Sequence, residues 1–130
     1  MTVLDWLVIA VCLYFLNICV QAVFGNMRYD PKTLLGPRDD FTPEGVGLLR
    51  ARRAQANFTE AMIMFAPLAL VAGATGSGGG IAAIGGAVFV ISRAVYLVVY
   101  VAGVAVVRSL AWMVGVLGTA MVFWAVAPFR

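Results

Sequence analysis

Residues 50–70 read RARRAQANFTEAMIMFAPLAL, and this stretch decides the fold. Its residues favour helix and no Gly or Pro precedes Pro67, so we predict one helix that begins charged and ends apolar. Its polar members recur every three or four residues and so share one side of the helix: Arg50, Arg53, Asn57 and Glu60. Ionisable side chains within a membrane cost roughly 2.5–3.5 kcal/mol each, so this polar stripe must face protein, water or ligand.

The composition indicates an integral membrane protein. The chain has 130 residues, of which 63% are hydrophobic and 12% charged, which is too apolar for a soluble domain. A span needs about 20 helical residues, and the chain has room for four of them in one domain: 2–24, 45–74, 81–102 and 107–127. We therefore predict an all-α, four-helix membrane bundle. Because four short helices enclose little interior, we also expect it to oligomerise.

The polar segment 25–44 separates the first two spans, and its three prolines and mixed charges predict a loop without regular structure. Six basic residues lie in this segment and in the first turns of the second span: Arg28, Lys32, Arg38, Arg50, Arg52 and Arg53. By the positive-inside rule the loop is cytoplasmic, and both termini lie on the other side. Arg108 falls on the cytoplasmic side as well, whereas the connection at residues 75–80 is uncharged.

Several classes of site are not expected. The two cysteines, Cys12 and Cys19, lie seven residues apart in an apolar helix and the chain has no histidine, so we predict no metal site and no catalytic Ser/His/Asp or Cys/His set. The basic residues flank spans and no soluble domain presents them, which argues against a nucleic-acid partner. The N-terminal residues lack a basic segment and a cleavage site, so the first apolar run is expected to be a span of the mature protein.

Polar side chains gather at the predicted cytoplasmic ends of the last three spans: Arg53, Asn57, Glu60, Arg93, Tyr96, Tyr100, Arg108 and Ser109. Guanidinium groups bind carboxylates in two-point contacts, so such a pocket suits an anionic small molecule, for example a zwitterionic peptide with excess carboxylates. A cation beside a thiol also favours the reactive thiolate. The alternative is that Glu60 pairs with Arg53 or Arg93 and holds the bundle together.

These motifs together resemble the MAPEG family, the membrane-associated proteins in eicosanoid and glutathione metabolism. The resemblance lies in the pattern Arg-Ala-x-x-Ala-x-x-Asn-x-x-Glu at residues 50–60, in Phe-x-Pro-Leu at 65–68, in Arg93-x-x-Tyr96-x-x-x-Tyr100 and in Arg108-Ser109. It implies a homotrimer that binds glutathione between subunits near the cytoplasmic side. Arg53, Asn57 and Glu60 would hold the peptide, and Arg93, Tyr96, Tyr100 and Ser109 would complete the site. The resemblance makes Arg108 the catalytic residue that stabilises the thiolate.

The expected function is therefore glutathione transfer, or reduction of peroxides by glutathione, with lipophilic electrophiles that arrive through the bilayer of a bacterial inner membrane. Glutathione would be the co-substrate. One alternative is a non-catalytic member that binds lipid or glutathione. Another is a small multidrug transporter, although the essential carboxylate of that class lies in the first helix, where this chain has only Asp5.

Overall fold

The computed structural model describes residues 1–37 and 42–127, so Arg38 of the basic cluster lies outside the described residues. The described residues form five helices and no strand: α1 Val3–Arg28, α2 Pro31–Leu35, α3 Val46–Ala74, α4 Gly80–Ala102 and α5 Ala105–Val126. Four of them, all but α2, are long and apolar enough to cross a membrane. The predicted all-α architecture with four membrane-spanning helices is confirmed.

The segment between the first two spans is more ordered than predicted. Helix α1 continues four residues beyond residue 24, and α2 occupies part of the predicted loop. Helix α2 forms because Asp30 accepts a hydrogen bond from the backbone N–H of Lys32 at 2.6 Å and because Pro31 occupies its first turn, where no N–H is needed. The prediction of an irregular loop is therefore wrong for residues 25–28 and 31–35, since local capping outweighs the turn-forming composition.

Helices α1 and α3 run antiparallel over their full length. Leu4 packs against Gly73 at one end of the pair, and Phe24 packs against Gly47 at the other. The backbone N–H of Val3 donates to the carbonyl of Gly78 at 2.7 Å, which ties the start of α1 to the α3–α4 turn. We call this end, with residues 1–6 and 75–80, the hairpin end. We call the opposite end of the bundle, where α3 starts, α4 ends and α5 starts, the arginine end.

Helix α4 is the centre of the bundle, because it packs against α1, α3 and α5. Its buried residues recur at helical spacing along most of its length. In the half nearer the hairpin, the rings of Phe65 and Phe89 stack with centroids 3.9 Å apart. Gly85 and Gly118 let α4 and α5 approach so closely that a β-carbon at either glycine would lie 2.7 Å from the carbonyl oxygen of the other. These contacts fix α4 and α5 relative to α3.

Candidate functional site

A cavity of about 210 Å³ lies at the arginine end. Its lining combines three arginines and one phenol with small and apolar residues: Arg50, Arg53, Val99, Tyr100, Gly103, Val104 and Arg108. No carboxylate is among the residues that line it. The cavity is therefore cationic, and its positive charge is balanced by no acidic side chain in its wall.

Arg50 reaches from α3 to the connection between α4 and α5. Its Nη1 donates to the carbonyl of Val101 at 3.3 Å, and its guanidinium lies against Gly103. Gly103 has φ +86°, a left-handed conformation that glycine adopts without strain, and it ends α4. Because α5 begins two residues later, this contact holds the start of α5, and hence Arg108, close to α3.

Arg108 lies in the first turn of α5 and faces the aromatic side chains of α4. Its guanidinium carbon is 5.0 Å from the centroid of the Tyr100 ring, a cation–π distance. The Tyr100 ring in turn contacts that of Tyr96, with centroids 5.3 Å apart. Tyr96 is buried, whereas Tyr100 and Arg108 are half-buried. An aromatic wall thus holds Arg108 beside the cavity without neutralising its charge.

Arg93 lies farther from the arginine end, inside the bundle, and is only 2% exposed. Its Nη1 donates to the side-chain oxygen of Asn57 at 2.9 Å, and its Nη2 donates to the carbonyl of Trp112 at 3.3 Å. Its guanidinium carbon also lies 5.3 Å from the Tyr96 ring centroid. Gly115 leaves the space that the guanidinium fills, because a β-carbon there would overlap Nη2. Arg93 therefore joins α3, α4 and α5 at one point.

The alternative in which Glu60 pairs with Arg53 or Arg93 is wrong within the described part of the chain, where the ion pair found is Arg28–Glu44 at 3.6 Å. Glu60 is exposed. Instead of the arginine cavity, Glu60 lines a second, larger and mostly apolar groove of about 600 Å³ between α3 and α5. Arg93 borders the same groove but does not form an ion pair with Glu60. Glu60 thus remains available to a partner from outside the described chain.

The structure brings some of the predicted site residues together and keeps others apart. Arg53, Tyr100 and Arg108 share the cavity, and Tyr96 packs behind Tyr100. Ser109, predicted to belong to the same site, is exposed and donates its hydroxyl to the carbonyl of Ala105 at 3.2 Å in its own helix. The eight predicted residues therefore divide into a group at the cavity, a hydrogen-bonded pair of the buried Arg93 and the half-buried Asn57, and two exposed side chains outside the cavity, Glu60 and Ser109.

Arg50 lies on the predicted polar stripe of α3 but is not among the predicted site residues. Its spacing of three residues from Arg53 was the signal that could have included it. No sequence pattern predicts that Gly103 and the Trp112 carbonyl contact arginine side chains. A left-handed glycine at a helix end and a backbone acceptor are common features of any helical chain.

The described residues thus form a helix bundle with a cationic cavity at one end. Comparison with known proteins shows the family to which the chain belongs. No curated protein matches the chain. A sequence model of the MAPEG family matches residues 6–128, almost the whole of the 130-residue chain. The protein is therefore a multi-pass membrane protein that belongs to the MAPEG family, the membrane-associated proteins in eicosanoid and glutathione metabolism.

Proposed function

We propose that the protein is a glutathione-dependent transferase or peroxidase of a bacterial inner membrane, acting on lipophilic electrophiles that reach it through the bilayer. Glutathione would be the co-substrate, bound at the arginine end. The observation that carries the proposal is the cavity with three guanidinium groups and no carboxylate in its wall. Glutathione has two carboxylates and one ammonium, so its net negative charge complements this cavity.

The proposed roles follow from the chemistry of each group. Arg53 and Arg50 would bind ligand carboxylates, and Glu60, which has no ion-pair partner in the described chain, would accept the ligand ammonium. Arg108 would stabilise the thiolate, since a nearby fixed cation favours the charged form of a thiol. Asn57, Tyr96, Tyr100 and Ser109 complete the proposed site, and Arg93 lies behind Asn57.

The proposed reaction needs little from the protein beyond binding and electrostatics. The thiol gives up its proton to water, and the thiolate sulfur attacks an electrophilic carbon of the lipophilic substrate. A carbon–sulfur bond forms, and the leaving group departs with the bonding electron pair. With a peroxide, the O–O bond would break: two glutathione thiols would give up two electrons and two protons and end as a disulfide, and the peroxide would leave as an alcohol and water. In both cases Arg108 lowers the energy of the anionic sulfur.

We propose that the working form is a homotrimer with both termini on the non-cytoplasmic side. Arg53 and Glu60 are exposed on a helix that spans the membrane, and charged side chains are not stable against lipid. A neighbouring subunit that covers this face would remove them from lipid and would complete the binding site. The mass of the purified complex, corrected for bound detergent, tests this assembly. A monomer that binds glutathione normally would contradict it.

Two alternatives remain distinguishable by experiment. A non-catalytic member would bind glutathione but would show no turnover with a general electrophile such as a chlorodinitrobenzene. A multidrug transporter needs an available carboxylate in its first helix, but Asp5 accepts a hydrogen bond from the N–H of Thr2 at 2.6 Å and so caps its own helix. Efflux driven by protons from sealed vesicles would nevertheless support that function.

The test is to mix purified protein with glutathione and to follow the ultraviolet absorbance of the thiolate. We expect the signal in wild type and a complete loss of binding in Glu60→Ala, because the ligand ammonium loses its partner. Arg108→Ala should keep binding but lose the thiolate signal, and turnover should fall about 100-fold or more, as on removal of one oxyanion donor.

The controls are Glu44→Ala and Arg52→Ala, which remove the same charges from exposed positions away from the cavity. Both should bind glutathione and form thiolate as wild type does. Full thiolate formation in both Glu60→Ala and Arg108→Ala would refute the role assignment. Absence of glutathione binding by wild type would refute the proposed function itself.

A further inference from the structure

The hydrogen bond between Arg93 and Asn57 fixes which way the Asn57 amide faces. A guanidinium has only donors, so the group of Asn57 that it meets at 2.9 Å has to be the side-chain oxygen and not the nitrogen. Arg93 is buried, and a second hydrogen bond to the Trp112 carbonyl and the space above Gly115 hold its guanidinium in place. The amide therefore has one stable orientation, which the buried arginine determines.

The nitrogen of the Asn57 amide consequently faces away from Arg93. Asn57 is half-buried, and its side-chain nitrogen donates no hydrogen bond to any residue that the structure describes. It lies on the polar side of α3, one turn from Arg53 and one turn from Glu60, both of which are exposed. An oriented pair of N–H donors thus stands between the two charged side chains proposed to bind the peptide.

We propose that Arg93 is a positioning residue that presents Asn57 as a hydrogen-bond donor to an oxygen of the bound peptide, a carboxylate or carbonyl oxygen. The inference rests on the proposed function and deepens it. Asn57 would recognise an acceptor oxygen of the peptide, and Arg93 would not touch the ligand directly. Arg93 donates one N–H from each Nη to a protein acceptor, and its Nε, which has no partner among the described residues, is buried inside the bundle where a ligand carboxylate does not reach it.

The competing account is that the pair only holds α3 to α4. Asn57→Asp separates the two accounts, because aspartate has the same shape and still accepts the hydrogen bond from Arg93 but has no N–H to offer a ligand. We expect Asn57→Asp to unfold thermally at a temperature no lower than wild type, since the bond to Arg93 becomes an ion pair. Its affinity for glutathione should fall at least about tenfold.

The new charge of Asn57→Asp could weaken binding of an anion through space, and salt distinguishes this effect. Long-range repulsion is largely screened at about 1 M salt, where the Debye length is about 3 Å, whereas loss of a donor is not. The titration is therefore repeated at about 0.15 M and about 1 M salt. Each variant is compared with wild type in the same salt, and the tenfold loss should persist at both concentrations.

Arg93 itself is tested by a conservative and a non-conservative variant. Arg93→Lys can still donate to the Asn57 oxygen, so its glutathione affinity should stay within about threefold of wild type. Arg93→Met frees the amide to rotate and should weaken binding by about tenfold. If Arg93→Met does not fold, Asn57→Asp and Arg93→Lys still carry the test, because both keep a partner for the buried group.

The outcomes separate this inference from the proposed function. Asn57→Asp with wild-type affinity, or with a loss that disappears at high salt, overturns the positioning role while glutathione binding stands. Arg93→Lys that binds as poorly as Arg93→Met also overturns it, because the orientation of the amide would then not matter. If wild type does not bind glutathione, the proposed function fails and this inference fails with it.

Discussion

The helices are held together differently in two regions of the bundle: the half nearer the hairpin end, and the arginine end. Near the hairpin, α4 and α5 meet through Gly85 and Gly118 with backbone atoms in close approach, and aromatic rings stack beside them. At the arginine end the helices stand apart around a cavity, and side chains such as Arg50 bridge the gap. The close-packed half thus sets the position of the helices, and the open end uses that position to hold charges where a ligand can reach them.

The largest expected effect comes from breaking the close-packed half. Gly118→Ala puts a β-carbon 2.7 Å from the carbonyl oxygen of Gly85 and 2.7 Å from the backbone nitrogen of Phe89, neither of which can move independently of its helix. We expect a loss of about 3 kcal/mol in the free energy of unfolding, at the upper end of the usual range for overpacking. Denaturation in detergent measures it.

Gly25→Ala is the matched control, since Gly25 is also a buried helical glycine but has nothing within 4 Å of the added β-carbon. It should be neutral or stabilise α1 by up to about 1 kcal/mol. If Gly118→Ala and Gly25→Ala destabilise the protein equally, the close approach of α4 and α5 is not what stabilises the half of the bundle nearer the hairpin end.

The next effect concerns the bridge at the arginine end. Arg50→Met removes the hydrogen bond to Val101 and one of the three positive charges of the cavity. Glutathione affinity should fall by about tenfold, or about 1.4 kcal/mol. Isothermal titration measures the affinity. Arg52→Met deletes the same charge from an exposed position that does not line the cavity, and it should bind within about twofold of wild type.

A smaller effect is expected at the aromatic wall. Tyr100→Leu removes the ring that lies 5.0 Å from the Arg108 guanidinium, a contact worth about 0.5–1 kcal/mol at a partly exposed site. The rate of thiolate formation, followed by stopped-flow absorbance, should fall about two- to fivefold. Tyr100→Phe keeps the ring and should retain most of the rate. If Tyr100→Phe is as slow as Tyr100→Leu, the hydroxyl and not the ring acts on Arg108.

The smallest effect is expected from the ion pair between Arg28 and Glu44. Its side chains are 57% and 70% exposed and its atoms lie 3.6 Å apart, so water screens the attraction. Arg28→Ala should lower the free energy of unfolding by less than about 1 kcal/mol, and added salt should remove the difference. A larger, salt-independent loss would show that the segment between α1 and α3 contributes to stability as an enclosed part of the fold.

Much of the fold follows from the sequence because hydropathy and charge act locally. The apolar runs predicted four spans, and the positions of the basic residues predicted that Arg53, Tyr100 and Arg108 would gather at one end. Helix α2 was missed because a single side-chain cap at Asp30 outweighs a composition that favours turns. Such a cap acts through one hydrogen bond, and composition averaged over twenty residues does not reveal it.

By itself, the sequence determined that this is a four-span membrane protein with a polar stripe that lipid cannot surround, because the energy of burying apolar and charged groups depends on residue type. Only the tertiary structure decided the partners within that stripe. Arg93 meets Asn57 and Glu60 meets no arginine in the described chain, because helix periodicity fixes the side a residue lies on but not its neighbour. The neighbour depends on how closely the helices approach, and between α4 and α5 the glycines at positions 85 and 118 set that distance.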